Sequence, residues 1–237
     1  MTSRRDDAPV WYPLFLDLRD KQVLVAGGGP VAERKILGLL EAGARVKVVS
    51  PVATARIGAL AANGRIEWDR RSVEPNDLDG AWLAFAATSD PEAQRIVSEA
   101  ARARKIFCNV ADSTDAGGFI LPATLRRREL VIAVSTGGQS PALARRIRDD
   151  IDRSLDPVHD IYVSLLGALR SHVLETEKDP GRRSELCRKL TEAQVLSWME
   201  RGDWACIAAW GQAHFGAGAK EIIQKFASVS GSIHHHA

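Results

Sequence analysis

Lys21-Gln-Val-Leu-Val-Ala-Gly-Gly-Gly-Pro-Val-Ala-Glu-Arg-Lys35 changes character at its glycines, and that change decides the fold. Val23 to Ala26 form a short apolar run of the kind a buried strand needs, and the residues from Val31 onward take up a helical period. Between them Gly27, Gly29 and Ala32 spell G-x-G-x-x-A. The first glycine permits a tight turn, the second lets backbone come close to a phosphate, and the alanine keeps the helix against its strand. A helix that starts this way aims its free N–H groups and the positive end of its dipole at an anion such as a dinucleotide pyrophosphate. The expected cofactor contacts in this turn are Gly27, Gly28, Gly29, Pro30, Val31 and Ala32.

Working outward, Ala32, Ile36, Leu39 and Leu40 recur on one helical face, and Gly43 stands where a left-handed cap ends the helix. Val46, Val48 and Val49 make a second buried strand and complete a βαβ unit. Upstream, Leu14, Phe15, Leu16 and Leu18 are expected to pack against the sheet edge. Downstream, the pattern predicts a helix over 54–62, a short strand over 66–73 and a strand over 82–87. The unbroken apolar run of that last strand suits a parallel sheet covered on both faces. Asp90 and Pro91 open a helix that runs to Arg104, and residues 106–110 form a strand that delivers Asp112 at its C-terminal end. Such alternation predicts an α/β fold, a Rossmann-type doubly wound parallel sheet.

The rhythm breaks after Asp112. Residues 119–125 and 130–135 read as two strands joined by Arg126-Arg-Arg-Glu129. A helix capped by Ser140, with Pro141 at its first position, follows with an expected buried stripe of Leu143, Ile147, Ile151 and Leu155. Beyond Pro157 the pattern is helical. Val158, Ile161, Tyr162, Leu165, Leu169 and Val173 line one helix, and Asp179-Pro-Gly181 interrupts the chain. Thr191-Glu-Ala-Gln194 then reads as a capping box, and further helices start from Asp203 and run over 219–227. The domain reading is a Rossmann domain over 1–112, a strand–strand–helix dimerisation segment over 113–155, a helical domain over 156–228 and a tail over 229–237.

The totals are ordinary for a globular protein: 237 residues, 45% hydrophobic and 26% charged, enough for one large domain or two modest ones. A formal net charge of +2 gives no global electrostatic case for nucleic acid. Cys108, Cys187 and Cys206 are far apart, which suits a reducing cytoplasm with neither a disulfide framework nor a cysteine zinc site. The apolar run after Arg4 and Arg5 is broken by Pro13 and Asp17, so it does not read as a signal peptide, and no run has the ~18 apolar residues of a membrane span. The small polar end of the chain, with His234 to His236, reads as a disordered tail.

One element of a dinucleotide site is missing. The second strand, where an acidic residue usually binds the ribose hydroxyls, ends in Ser50-Pro51, with Arg56 close by. Ser50 is the expected contact there, and the spacing leaves NAD and NADP both open. Thr88 and Asn109 are the expected contacts at two further strand ends. Arg126, Arg127 and Arg128, with Arg145, Arg146 and Arg148 on the following helix, offer guanidinium forks for carboxylates, or else a solvated face balanced by Asp149, Asp150 and Asp152. Gly137 and Gly138 suggest close backbone approach. His159, His172 and His214 have no metal-ligand spacing, and Trp198, Trp204 and Trp210 read as helical core.

Three segments in order, Gly27-Gly-Gly-Pro-Val-Ala-Glu-Arg-Lys35, Phe107-Cys-Asn-Val-Ala-Asp112 and Ala133-Val-Ser-Thr-Gly-Gly-Gln-Ser-Pro-Ala-Leu-Ala144, closely resemble the precorrin-2 dehydrogenase/sirohydrochlorin ferrochelatase family, the N-terminal half of siroheme synthase. The resemblance is clear from about residue 12 to about residue 155. It implies NAD-dependent oxidation of precorrin-2 to sirohydrochlorin in siroheme biosynthesis, often followed by insertion of Fe2+, in a cytoplasmic homodimer paired through the segment after the Rossmann domain. It implies Asp112 as the catalytic carboxylate, relaying a proton in the oxidation and holding ferrous ion transiently during insertion. It places Thr136-Gly137-Gly138 where the family carries Ser-Gly-Gly, so that the hydroxyl is kept and a methyl added. Thr136, Gly137, Gly138, Arg126 and Arg145 are then the expected contacts to a carboxylate-rich tetrapyrrole, with neither nucleic acid nor membrane as partner. Two alternatives stand beside this reading: a dehydrogenase without chelatase activity, and a non-enzymatic module that senses NAD.

Overall fold

Val23, Leu24, Val25 and Ala26 are each at most 1% exposed, which requires cover on both faces of their strand and a partner on each side. The computed structural model, which describes residues 10–111 and 117–230, supplies both. β1 (Gln22–Ala26) lies between β2 (Arg45–Val49) and β4 (Leu83–Ala86), with β3 (Glu67–Asp69) and β5 (Phe107–Val110) outside them, in the order β3-β2-β1-β4-β5 with every pair parallel. Alternate residues face opposite ways. Val23, Val25, Leu83 and Phe85 pack with Ala32, Ile36 and Leu39 of α1 (Pro30–Glu41) and Ile57 of α2 (Ala55–Ala62). Leu24, Ala26, Ala84, Cys108 and Val110 pack with Val97, Ala100 and Ala101 of α3 (Pro91–Arg104) and with Leu78 of a 3-10 turn (Pro75–Leu78).

Local signals behave as their chemistry dictates. Thr54 caps α2 by accepting from Ile57 N, and Asp90 caps α3 by accepting from Glu92 N at 3.0 Å, with Pro91 at its first position. Gly43 ends α1 at φ 76°.

The chain forms two compact units, Met1–Leu121 with Gly137–Gln139, and Pro122–Thr136 with Ser140–Ala237. In the second, β6 (Ala123–Arg127) and β7 (Leu130–Val134) pair antiparallel and are followed by α4 (Pro141–Ser154), capped by Ser140. Arg127 ties this hairpin to the end of α4, donating to Asp152 Oδ1 at 2.8 Å and to the carbonyls of Asp152 and Leu155 at 2.9 and 3.0 Å. Then come α5 (Val158–Thr176), α6 (Pro180–Lys189), α7 (Ala193–Glu200), α8 (Trp204–Phe215) and α9 (Ala217–Ser230). Their core gathers Leu165, Leu169, Leu190, Val195, Met199, Ile207, Trp210 and Ile223. Among the described residues no helix is long and apolar enough to cross a membrane.

Several expectations are corrected. Only Leu18 of the upstream apolar residues is buried; Leu14, Phe15 and Leu16 are 55%, 73% and 50% exposed, in a segment without regular structure. The strand expected over 66–73 stops at Asp69, because Arg71 turns to bond Asp77 and Pro75 then opens the 3-10 turn. The hairpin starts later than expected and takes Arg126 and Arg127 into β6, opposite Val131 and Leu130. On α4 it is Ala144 that is buried, while Leu143 and Ile147 are 48% and 37% exposed. Asp179, expected only to interrupt, caps α6 by accepting from Arg182 N at 2.7 Å. Thr191 does not cap α7: its hydroxyl turns back to the carbonyl of Arg188, and Glu192 takes the cap position.

Candidate functional site

Parallel register brings the strand ends into one row. Ala26 lies beside Val49 and Ala86, and Ala86 beside Val110, so Gly27, Ser50, Ala87 and Ala111 leave the sheet at the same edge. The strand order reverses between β1 and β4, and in open α/β sheets ligands bind outside the C-terminal ends at such a reversal. Gly27, Ser50, Thr88 and Asn109 are therefore brought together along one edge although 82 positions separate the first from the last.

The three glycines of the turn have three different surroundings. Gly27 has φ 127°, and a Cβ there would stand 2.2 Å from the carbonyl oxygen of Ala87. Gly28 is closed off by the next loop: a Cβ would meet Val52 O at 2.1 Å, and Thr54 N donates to Gly28 O at 2.9 Å. Gly29 is the opposite case, exposed and with nothing within 4 Å of a Cβ. No side chain caps α1 at Gly29, Pro30 has no N–H to offer, and the first bond of the helix runs from Glu33 N to Gly29 O at 3.0 Å. Val31, 40% exposed, and buried Ala32 complete the turn. An uncapped helix start beside an open glycine is a seat for an anion, and the residues present fit a pyrophosphate.

At the ribose corner Ser50 is buried and its hydroxyl donates to Val52 O at 2.7 Å, while its carbonyl accepts from Trp68 Nε1 at 3.0 Å. Its side chain thus braces the loop that closes on Gly28. An acid reaches the loop beyond Ser50 from the helix: Glu33 accepts from Thr54 Oγ1 at 2.6 Å and lies 4.0 Å from the guanidinium of Arg56. Thr88 accepts from Asp90 N through its hydroxyl and from Gln94 Nε2 through its carbonyl, so it shapes the start of α3.

Asn109 faces the α1 side of β5. Its Oδ1 accepts from Lys35 Nζ at 2.8 Å and its Nδ2 donates to Phe119 O at 3.1 Å. Neighbouring Cys108 faces α3, and burial pushes its thiol up to about 11, which keeps it protonated and unreactive at neutral pH. Asp112 lies outside the described residues, as does the tail from 231 onward.

Thr136 Oγ1 accepts from Ser140 N at 3.0 Å, and between these two residues the chain passes through Gly137 and Gly138 at φ 62° and 84°, both in the left-handed region. Arg126 and Arg145 are exposed, and among the described residues neither makes an ion pair, whereas Arg127 and Arg148 are engaged by Asp152 and Asp149. Among the described residues no three His, Cys, Asp or Glu side chains converge to hold a metal ion. A groove lined by Gln22, Arg45, Lys47, Arg65 and Glu67 lies at the other edge of the sheet, where the strands begin, and takes no part in this arrangement.

Sequence reasoning missed Lys35 and Glu33, although both stand in the stretch that decides the fold. The available signal was position: each is one step away from the buried Ala32 and Ile36, where a long side chain can run along the sheet before its charge emerges.

Known proteins resemble this chain in sequence and in fold. A family model described as NAD(P)-binding matches residues 14–123, and one described as the sirohaem biosynthesis protein central region matches residues 127–154. Siroheme synthase 1 of Aeromonas salmonicida is 38% identical over 82% of this chain, and siroheme synthase of Citrobacter koseri is 43% identical over 75% of it. The chain spans 42% and 39% of the length of these two relatives. Among solved structures, SirC, a precorrin-2 dehydrogenase, superposes with a TM-score of 0.70 at 28% identity, over 92% of this chain and 100% of its own.

Proposed function

We infer that the chain belongs to the family that siroheme synthases share with the precorrin-2 dehydrogenase SirC, and from that premise that it oxidises precorrin-2 to sirohydrochlorin with NAD. The observation that carries the reading is the turn at Gly29, open and uncapped, in a fold that matches SirC along its whole length.

The N–H groups at the start of α1 hold the pyrophosphate, and Gly29 leaves room for it. Glu33 favours NAD over NADP, because a carboxylate at the ribose corner repels a 2′-phosphate and engages Arg56, the cation that would otherwise welcome one. When bound, NAD supplies the hydride acceptor. Asp112, two residues beyond the end of β5, takes the proton that must leave precorrin-2 as its hydride departs. Thr136, Gly137 and Gly138 contact the substrate through hydroxyl and backbone, and Arg126 and Arg145 pair with its carboxylates. Functionally the chain divides into nucleotide binding over 1–112, pairing over 113–155 and a helical domain over 156–228, and it works in the cytoplasm, as its unpaired cysteines suit.

Two copies pair through the hairpin and α4. Leu143 and Ile147 occupy the stripe that periodicity would bury yet stand exposed, and a two-stranded sheet leaves both its edges open to another chain.

The names of the relatives bear on a second step in different ways. The siroheme synthases are named for making siroheme, which favours ferrous iron insertion with Asp112 as a transient ligand; SirC is named as a dehydrogenase alone, which favours oxidation only. Anaerobic incubation of precorrin-2 with NAD, followed by sirohydrochlorin absorbance and NADH fluorescence, tests the oxidation. Product is expected, with a loss of about a hundredfold in Asp112→Asn. Absence of both product and NADH in the unmodified protein defeats the reading. Adding Fe2+ to sirohydrochlorin then decides the second step by comparison with the protein-free rate.

A further inference from the structure

We propose that Lys35 is a positioning residue for this oxidation, acting through Asn109 on the chain that leaves β5; the role rests on the function proposed above, while the contacts that carry it do not. Three observations converge on one point of the sheet.

The first is reach. Lys35 is half-buried beside the apolar stripe of α1, and its ammonium arrives 5.1 Å from the centre of the Phe85 ring and 2.8 Å from Asn109 Oδ1, 74 residues away in sequence. The second is what Asn109 does with its other end. Its Nδ2 donates to Phe119 O at 3.1 Å, and beside it Gly118 N donates to Cys108 O at 2.7 Å. The chain that departs at Val110 is thus refastened to β5 at Gly118 and Phe119. The third is packing: the Phe119 ring meets Phe85 edge-on at 5.5 Å and 84°, under the same lysine.

These contacts have a direction. An ammonium can only donate, so Lys35 makes the Asn109 amide present its oxygen to α1 and its N–H to Phe119. With the amide turned the other way, N–H would face ammonium and oxygen would face a carbonyl, and both bonds would be lost. An apolar side chain could cover Phe85 equally well and would avoid taking a charge partly out of water. The cation fixes the orientation of that amide, and with it the bond by which Asn109 holds Phe119 against β5. Asn109, expected as a cofactor contact, has here a second task as the clasp on Phe119.

The test uses the full chain and the variants Lys35→Met, Lys35→Arg and Asn109→Leu. Three quantities are measured: NAD affinity by calorimetry, kcat and KM for precorrin-2 under anaerobic conditions, and amide hydrogen exchange in peptides containing Gly118 and Phe119. Lys35→Met should lower kcat about tenfold to a hundredfold, the scale of a small misplacement of reacting groups, while NAD affinity changes less than about threefold. Exchange at Gly118 and Phe119 should quicken in Lys35→Met and in Asn109→Leu, and Lys35→Arg, which keeps a donor, should restore most of both properties. Unchanged kcat in Lys35→Met overturns the positioning role, as does a kcat loss that Lys35→Arg leaves unrepaired. Unchanged exchange overturns the clasp itself. If the unmodified protein does not oxidise precorrin-2, the function proposed above fails instead, and the exchange measurement still decides the clasp.

Discussion

Asp77 is the clearest case of a single residue whose importance only its neighbours reveal. Its side chain is 3% exposed, yet it accepts from Arg71 at 2.7 and 2.8 Å, from Lys47 at 3.0 Å and from the backbone N of Glu74 at 2.9 Å. The Arg71 guanidinium, helped by that backbone bond and by Lys47, holds its carboxyl well below the usual carboxylate range against the opposing effect of burial. A carboxylate with a depressed folded pKa stabilises above its unfolded value of about 4, and this contribution is lost as pH falls toward the folded pKa. Asp77→Asn should therefore cost about 3 kcal/mol at pH 7, since it leaves Arg71 and Lys47 without their buried partner. In urea unfolding the gap between variant and parent should narrow at pH 3; a gap of equal size at both pH values would mean that the charge of Asp77 is not its source. In sequence Asp77 is one carboxylate in a polar turn, and nothing in spacing marks it. Lys35 was equally silent, because a bond across 74 residues leaves no local pattern.

At the scale of elements, motif spelling and element role separate. The glycine turn was legible down to the residue: a tight turn at Gly27, room at Gly29 and a helix start beyond. Its three glycines should nevertheless fail differently. Gly27→Ala places a side chain at φ 127° against Ala87 O and should destabilise the protein by about 2–4 kcal/mol. Gly29→Ala enters open space and should leave the thermal midpoint within about 2 °C while weakening NAD binding about tenfold, or 1.4 kcal/mol. Thermal unfolding with calorimetric titration separates the two, and equal NAD affinity in Gly29→Ala would remove the pyrophosphate from this turn. The elements read least well were those whose ends are set by distant partners. The strand before the 3-10 turn stops where Arg71 swings to Asp77, and Thr191 loses its cap because α6 takes its hydroxyl.

For the whole molecule the informative discrepancy is on α4. Periodicity buries Leu143 and Ile147, yet in one copy of the chain both are exposed. Periodicity reports that a face is apolar and is silent on what covers it, and a second copy satisfies the same pattern as an intramolecular core. Sedimentation should accordingly give twice the 25.8 kDa of one chain, and the double variant Leu143→Lys, Ile147→Lys should sediment as a single chain. A parent protein already at 25.8 kDa would remove pairing from the account.

Whereas the cap at Thr54 emerged only in the fold, local residue patterns were enough for the alternation of strands and helices, the parallel sheet, the glycine turn and the caps at Asp90 and Ser140. These follow from side-chain period, glycine conformation and bonds between residues at most a few positions apart, all of which are written locally. It took the folded chain to show that Ser50 braces a loop, that Glu33 meets Thr54 and Arg56, that Arg127 is committed to α4 and that Lys35 reaches Asn109. Each of those depends on which long side chain meets which partner across the fold. That choice is made by packing and desolvation, and it has no period to read.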